Sequence, residues 1–103
     1  MINRLYADYI ERRDKVQIYA DILKVTKKPR KTTRIIRLAN IQYNVFLECV
    51  ETLCDAGLLE KLSLDYKDED GHVKTKYEYK ATEMGEKWCE MLDELVLALE
   101  NVK

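Results

Sequence analysis

The chain has 103 residues, one domain's worth of sequence and enough for a single modest core, so two domains are excluded. Charged residues make up 36% of it while Pro and Gly are scarce, which describes a helix-rich folded chain rather than a disordered one. A formal net charge of -1 excludes a uniformly basic coat for nucleic acid; no apolar run is long enough for a membrane span, and Met1 to Tyr6 lack the apolar centre of a signal peptide, so a cytoplasmic protein with no membrane partner is expected.

At the N-terminus Ile2, Leu5, Tyr6, Tyr9 and Ile10 recur at i, i+3, i+4, i+7 and i+8, which predicts an amphipathic helical extension over 1–12. Val16, Tyr19, Ile22, Leu23 and Val25 continue that period. Either Asp14 caps a separate helix or one long helix runs through it, and a break near Arg13 is the preferred reading. Pro29 stops whatever helix precedes it, because it lacks an amide proton and biases Lys28 away from helical angles.

Charge is distributed unevenly along the chain. Residues 1–37 carry eleven Lys/Arg against four Asp/Glu, whereas residues 38–103 carry seven against fifteen. From Lys24 to Arg37 there are seven basic residues and no acidic one, a composition suited to phosphate contact; a solvated basic face is the plainer alternative.

Within this basic run Thr32 or Thr33 is expected to cap a short helix that sends Ile35, Ile36 and Leu38 to the core, with Ala39 and Asn40 forming a turn. Ile41 anchors the turn's exit. A second helix follows from about Gln42 to Ala56, with Phe46, Cys49, Val50 and Leu53 on one side, Asn44, Glu48, Glu51 and Asp55 on the other, and Gly57 as its left-handed terminator. Leu58 to Tyr66 reads as a strand, Lys67 to His72 as a loop with Asp70-Gly71 at its tip, and Val73 to Ala81 as the returning strand.

Thr82 then caps a long last helix. Its Met84, Trp88, Met91, Leu95, Ala98 and Val102 follow alternating steps of four and three, and Leu92, Val96 and Leu99 broaden that stripe. So much apolar surface exceeds what a small core can cover, and a partner helix is implied. The fold class is α+β, mainly α: a helix-turn-helix followed by a β-hairpin, that is, a winged helix. Residues 1–103 form one domain, with the core over 14–81 and a dimerisation helix over 82–103.

Three cysteines without paired spacing indicate neither a disulfide framework nor a zinc site. Cys49 shares the buried stripe, while Cys54 and Cys89 lie nearer stripe edges, where they are candidates for an intersubunit cross-link. The single histidine, His72, reads as an exposed turn residue, and the acids from Asp65 to Asp70 lack the spacing of a calcium loop. No phosphate loop, nucleophile elbow or paired-carboxylate motif is present. The expectation is a non-enzyme with no metal, cofactor or small-molecule substrate.

The blocks Asp14 to Leu23, Lys31 to Ile35, Leu38 to Tyr43, Gly57 to Glu60 and Tyr79 to Gly85, taken in this order and spacing, resemble the archaeal and archaeal-virus winged helix-turn-helix proteins. That resemblance implies double-stranded DNA as ligand and a homodimer joined through the C-terminal helices, often as an antiparallel coiled coil. Trp88, Leu92, Leu95, Val96 and Leu99 match the dimer helix by pattern. The location would be the cytoplasm, or the host cytoplasm for a viral protein.

If DNA is the ligand, Gln42, Tyr43 and Asn44 in the first turn of the second helix are the candidates for base contact, since Gln and Asn pair bidentately with adenine. Their plainer roles are helix capping for Gln42 and partial burial for Tyr43. Lys31, Arg34 and Arg37 are placed to meet phosphates, and Lys67, Lys74 and Lys76 give the wing its own cations. The function expected is sequence-specific or semi-specific DNA binding by a transcriptional regulator. The alternative is a winged-helix module for protein partners, suggested by Glu48, Glu51, Asp55 and the acidic tip Asp68 to Asp70.

Overall fold

The structure, a computed structural model, describes residues 14–101. The helix expected over 1–12, the break expected near Arg13 and Val102 of the apolar seam lie outside the described residues.

Asp14 caps a helix of its own. Its carboxylate accepts a hydrogen bond from the Gln17 amide at 2.9 Å, satisfying one of the free donors at the start of α1, Lys15–Val25. The helix ends at Thr26, before Pro29. There the fully buried Thr26 hydroxyl donates to the Ile22 carbonyl at 2.8 Å, which offsets its removal from water.

Arg30–Lys31 form a short strand, β1, and lead directly into α2, Thr32–Ala39. Neither Thr32 nor Thr33 is the cap that the sequence suggested. Lys31 holds that position without a side-chain bond, because pairing of Arg30 with Tyr79 and Lys31 with Glu78 keeps the backbone extended up to it. Ile35 and Ala39 are buried and Ile36 packs beside them. Leu38, expected in the core, is 43% exposed. With Ile35, Ile36 and Ala39 fixing the inward direction, it comes round about 100° away from it. Ala39 is thus the last helical residue rather than part of the turn, and Asn40 alone makes the reversal, at φ 55.

The second helix of the pair, α3, spans Tyr43–Asp55 and buries Phe46, Cys49, Val50 and Leu53, the stripe read from the sequence. It closes at Gly57, φ 77, where the Leu58 amide donates to the Leu53 carbonyl and the Gly57 amide to Cys54. These two bonds satisfy carbonyls that the helix end leaves free.

The wing is β2, Leu59–Lys67, paired antiparallel with β3, Val73–Ala81, in a register running from Leu59 opposite Ala81 to Lys67 opposite Val73. Strand order is β1-β3-β2, so the sheet has a third strand that apolar alternation could not reveal in Arg30-Lys31. At the base of one face Leu59, Tyr79 and Ala81 are buried, and the Tyr79 ring meets Phe46 edge-on at 5.6 Å. Farther out the hairpin is exposed on both faces. The tip is organised by Asp68, whose carboxylate accepts from the amides of Asp70 and His72, and Gly71 takes the left-handed position at φ 83.

Thr82 caps α4, Glu83–Glu100, as expected. Its hydroxyl oxygen accepts from the Gly85 amide at 3.1 Å, and its proton goes to the Gly57 carbonyl at 2.6 Å. Gly85 lies against the Leu58 backbone so closely that a Cβ would overlap the Leu58 carbonyl oxygen. Gly85 and Cys89 are buried, and Trp88 packs on the core. From Asp93 to Asn101 every residue is exposed.

Candidate nucleic-acid interface

All nine residues proposed from the sequence for DNA, Lys31, Arg34, Arg37, Gln42, Tyr43, Asn44, Lys67, Lys74 and Lys76, are exposed. Gln42 holds the N-cap position of α3 in extended backbone without using its side chain as a cap. Its amide group is therefore not consumed by the helix terminus, the plainer role open to it. Tyr43 is 60% exposed and leans on Phe46, ring centroids 6.5 Å apart, so one edge is anchored while the rest faces water.

Two of the proposed cations come together. A cleft of about 480 Å³ between the start of α2 and the wing is lined by Lys31, Thr32, Thr33, Tyr66, Lys76 and Tyr77. It joins Lys31 to Lys76 across 45 positions of sequence, which neither charge pattern nor periodicity could show. In the wing Lys61 lies over the Tyr77 ring at 4.1 Å and Lys76 over Tyr66 at 5.9 Å, contacts that fix long cationic side chains against aromatic faces.

The basic run from Lys24 to Arg37 is not one surface. Lys24 turns to α4 and binds Asp93 at 3.0 Å, a hydrogen bond that raises its pKa. Arg30 is half-buried, with Nε donating to the Val25 carbonyl at 3.2 Å. The cations left on the outer side of α2 are Lys31, Arg34 and Arg37.

The acids that counted against DNA are also redistributed. Glu48 is bound by Lys15 of α1 at 2.6 Å, and the hydrogen bond and opposite charge together raise the lysine's pKa. Asp68 is engaged by two backbone amides and lies 3.4 Å from the Lys74 ammonium. Glu51 and Asp55 are exposed farther along α3, away from its opening turn. Asp68, Asp70 and His72 bring one ligand-capable atom each within 4.8 Å of one another, a proximity that follows from the turn built around Asp68.

Cys89 corrects an expectation. It is 7% exposed, with its Sγ directed at the Ala20 carbonyl between α1 and α4, so it is not available for a cross-link. The period placed it at a stripe edge because it could not show that α1 packs there. Burial raises the thiol pKa of Cys49, Cys54 and Cys89 alike.

The residues expected at a dimer contact divide in two. Trp88 packs on its own core and Leu92 is half-buried. Leu95, Val96 and Leu99 are exposed, at 62%, 45% and 73%, together with Met91 and Leu97. Among the described residues no helix is long and apolar enough to cross a membrane.

No curated protein matches this chain. Among solved structures it is similar to Sso10a-2, a DNA-binding protein from Sulfolobus solfataricus, at 26% identity and a TM-score of 0.66, over 86% of this chain and 84% of that one. It shares its fold with the transcriptional regulator YodB from B. subtilis, at 17% identity and a TM-score of 0.60, over 94% and 90% of the two chains. A MarR family transcriptional regulator from Silicibacter pomeroyi has the same fold at 17% identity and a TM-score of 0.57, over 98% of this chain and 66% of that one. The family described as winged helix-turn-helix matches residues 12–99, nearly the whole of the fold described above, and the chain belongs to it.

Proposed function

We propose that the protein binds double-stranded DNA, as a homodimer joined through α4, and regulates transcription in a sequence-specific or semi-specific manner. The observation that carries this reading is the opening turn of α3: Gln42, Tyr43 and Asn44 are exposed together, free of acidic neighbours in that turn, directly after a helix whose outer side bears Arg34 and Arg37. Such a turn can enter a major groove while the preceding helix crosses the phosphates. Kinship with an archaeal DNA-binding protein at 26% identity supports an archaeal type of regulator, acting inside the cell where DNA is.

Gln42 and Asn44 supply donor-acceptor pairs for base edges, and Lys31, Arg34, Arg37, Lys74 and Lys76 supply charge for the backbone. The α4 stripe Met91, Leu95, Val96 and Leu99 supports the homodimer, since these side chains are exposed among the described residues and would gain by burying that face against a copy. A protein-binding module is the weaker reading, because Glu48, one of the acids that suggested it, is already paired with Lys15. Binding to random-sequence duplex at low and moderate salt separates the two: a salt-sensitive complex supports DNA, and no complex at low salt rejects it.

A further inference from the structure

The base-reading surface contains a residue that the sequence did not single out. Leu47 lies one turn after Tyr43 on α3 and is 49% exposed, beside a tyrosine that is 60% exposed. The buried stripe of the helix is already filled by Phe46, Cys49, Val50 and Leu53, so Leu47 takes no part in the core. A lone exposed leucine needs no explanation, but here two large apolar side chains share one flank of the opening turns.

The geometry identifies that flank. Glu48 is paired with Lys15, so its side of α3 faces the neighbouring helix α1. Tyr43 and Leu47 lie together about 100° or more round the helix from Glu48, both exposed and clear of that pair. The exposed flank of a recognition helix's opening turns is where a duplex would lie under the function proposed above.

From this placement we infer that Leu47, assisted by Tyr43, is a specificity-determining residue that reads the C5-methyl group of thymine. In the major groove thymine is the one base that presents a methyl group, and an aliphatic side chain recognises it by removing both from water. Gln42 and Asn44, which suit adenine, lie in the same turn. The surface as a whole therefore favours A·T pairs.

The inference rests on the DNA-binding reading, and the test distinguishes failure of one from failure of the other. The full chain and its Leu47→Ala and Leu47→Met variants are titrated with an alternating dA·dT duplex and with the same duplex carrying deoxyuridine in place of thymidine, which removes only the methyl groups. Wild type is expected to bind the uridine duplex more weakly, by about three- to fivefold for each methyl group that Leu47 covers. Leu47→Ala is expected to bind the two duplexes equally, and Leu47→Met to keep the discrimination. Equal binding of both duplexes by wild type, or undiminished discrimination by Leu47→Ala, would overturn the assignment while leaving DNA binding intact. No binding to either duplex would overturn both.

Discussion

Lys15 at the start of α1 and Glu48 in the middle of α3 meet at 2.6 Å, so the acid nearest the proposed base-reading turn is countered by a cation 33 positions away in sequence. Both side chains are well exposed, so the pair contributes little to folding and much more to the sign of the surface. Lys15→Ala is expected to weaken duplex binding at low salt by about two- to fivefold, by leaving a bare carboxylate near phosphate. Lys15→Ala combined with Glu48→Gln should recover most of that loss, with thermal midpoints almost unchanged throughout. A double mutant as weak as Lys15→Ala alone would show that Lys15 acts directly on DNA.

Thr82 ties the end of one helix to the start of another, accepting from Gly85 and donating to Gly57. Thr82→Ala is expected to cost about 1–2 kcal/mol in urea unfolding, and Thr82→Ser to restore most of it. Gly85→Ala should be worse, by more than about 2 kcal/mol, because the new methyl meets the Leu58 backbone, which cannot yield as a flexible side chain would. Equal stability of Gly85→Ala and wild type would contradict the packing of α4 described here.

The thiols provide a check on burial. Raised pKa values leave less thiolate near pH 8, so a disulfide reagent should label the folded protein far more slowly than the protein in urea. Half-buried Cys54 should react first, ahead of the buried Cys49 and Cys89. Rapid labelling of Cys89 in the folded protein would mean that α1 and α4 part readily.

The exposed stripe of α4 makes oligomeric state a sensitive readout. Light scattering is expected to give twice the chain mass for wild type, and a single-chain mass for the protein carrying Leu95→Glu and Leu99→Glu, with an accompanying loss of helix signal from the last turns. A monomeric wild type would contradict the homodimer.

Most of the fold was legible because its signals are local. Asp14 and Thr82 are cap residues before apolar periods, Gly57 follows a helical stripe, and Asp70-Gly71 separates two strand-like runs, and each of these does in the structure what its type implies. What stayed hidden depends on contacts distant in sequence. β1 exists because β3 passes beside Arg30 and Lys31, and that pairing moves the start of α2 away from the threonine cap. Cys89 is buried because α1 lies over it, and Lys24 leaves the basic surface because Asp93 is near. For the candidate site, residue type and spacing identified the exposed cations and the opening turn, but not the Lys15–Glu48 pair, the cleft joining Lys31 to Lys76, or the exposure of Leu47.

Under the proposed function the outer side of α2 and the opening turn of α3 face one duplex. Equilibrium binding of wild type and the Arg34→Glu, Arg37→Glu double variant to random-sequence duplex over a range of salt tests this arrangement. Wild-type affinity should fall steeply as salt rises. The variant should bind all sequences at least about tenfold more weakly, with a log-log salt slope shallower by about two, one unit for each phosphate contact removed. Identical affinity and slope for the two proteins would show that α2 does not face the duplex.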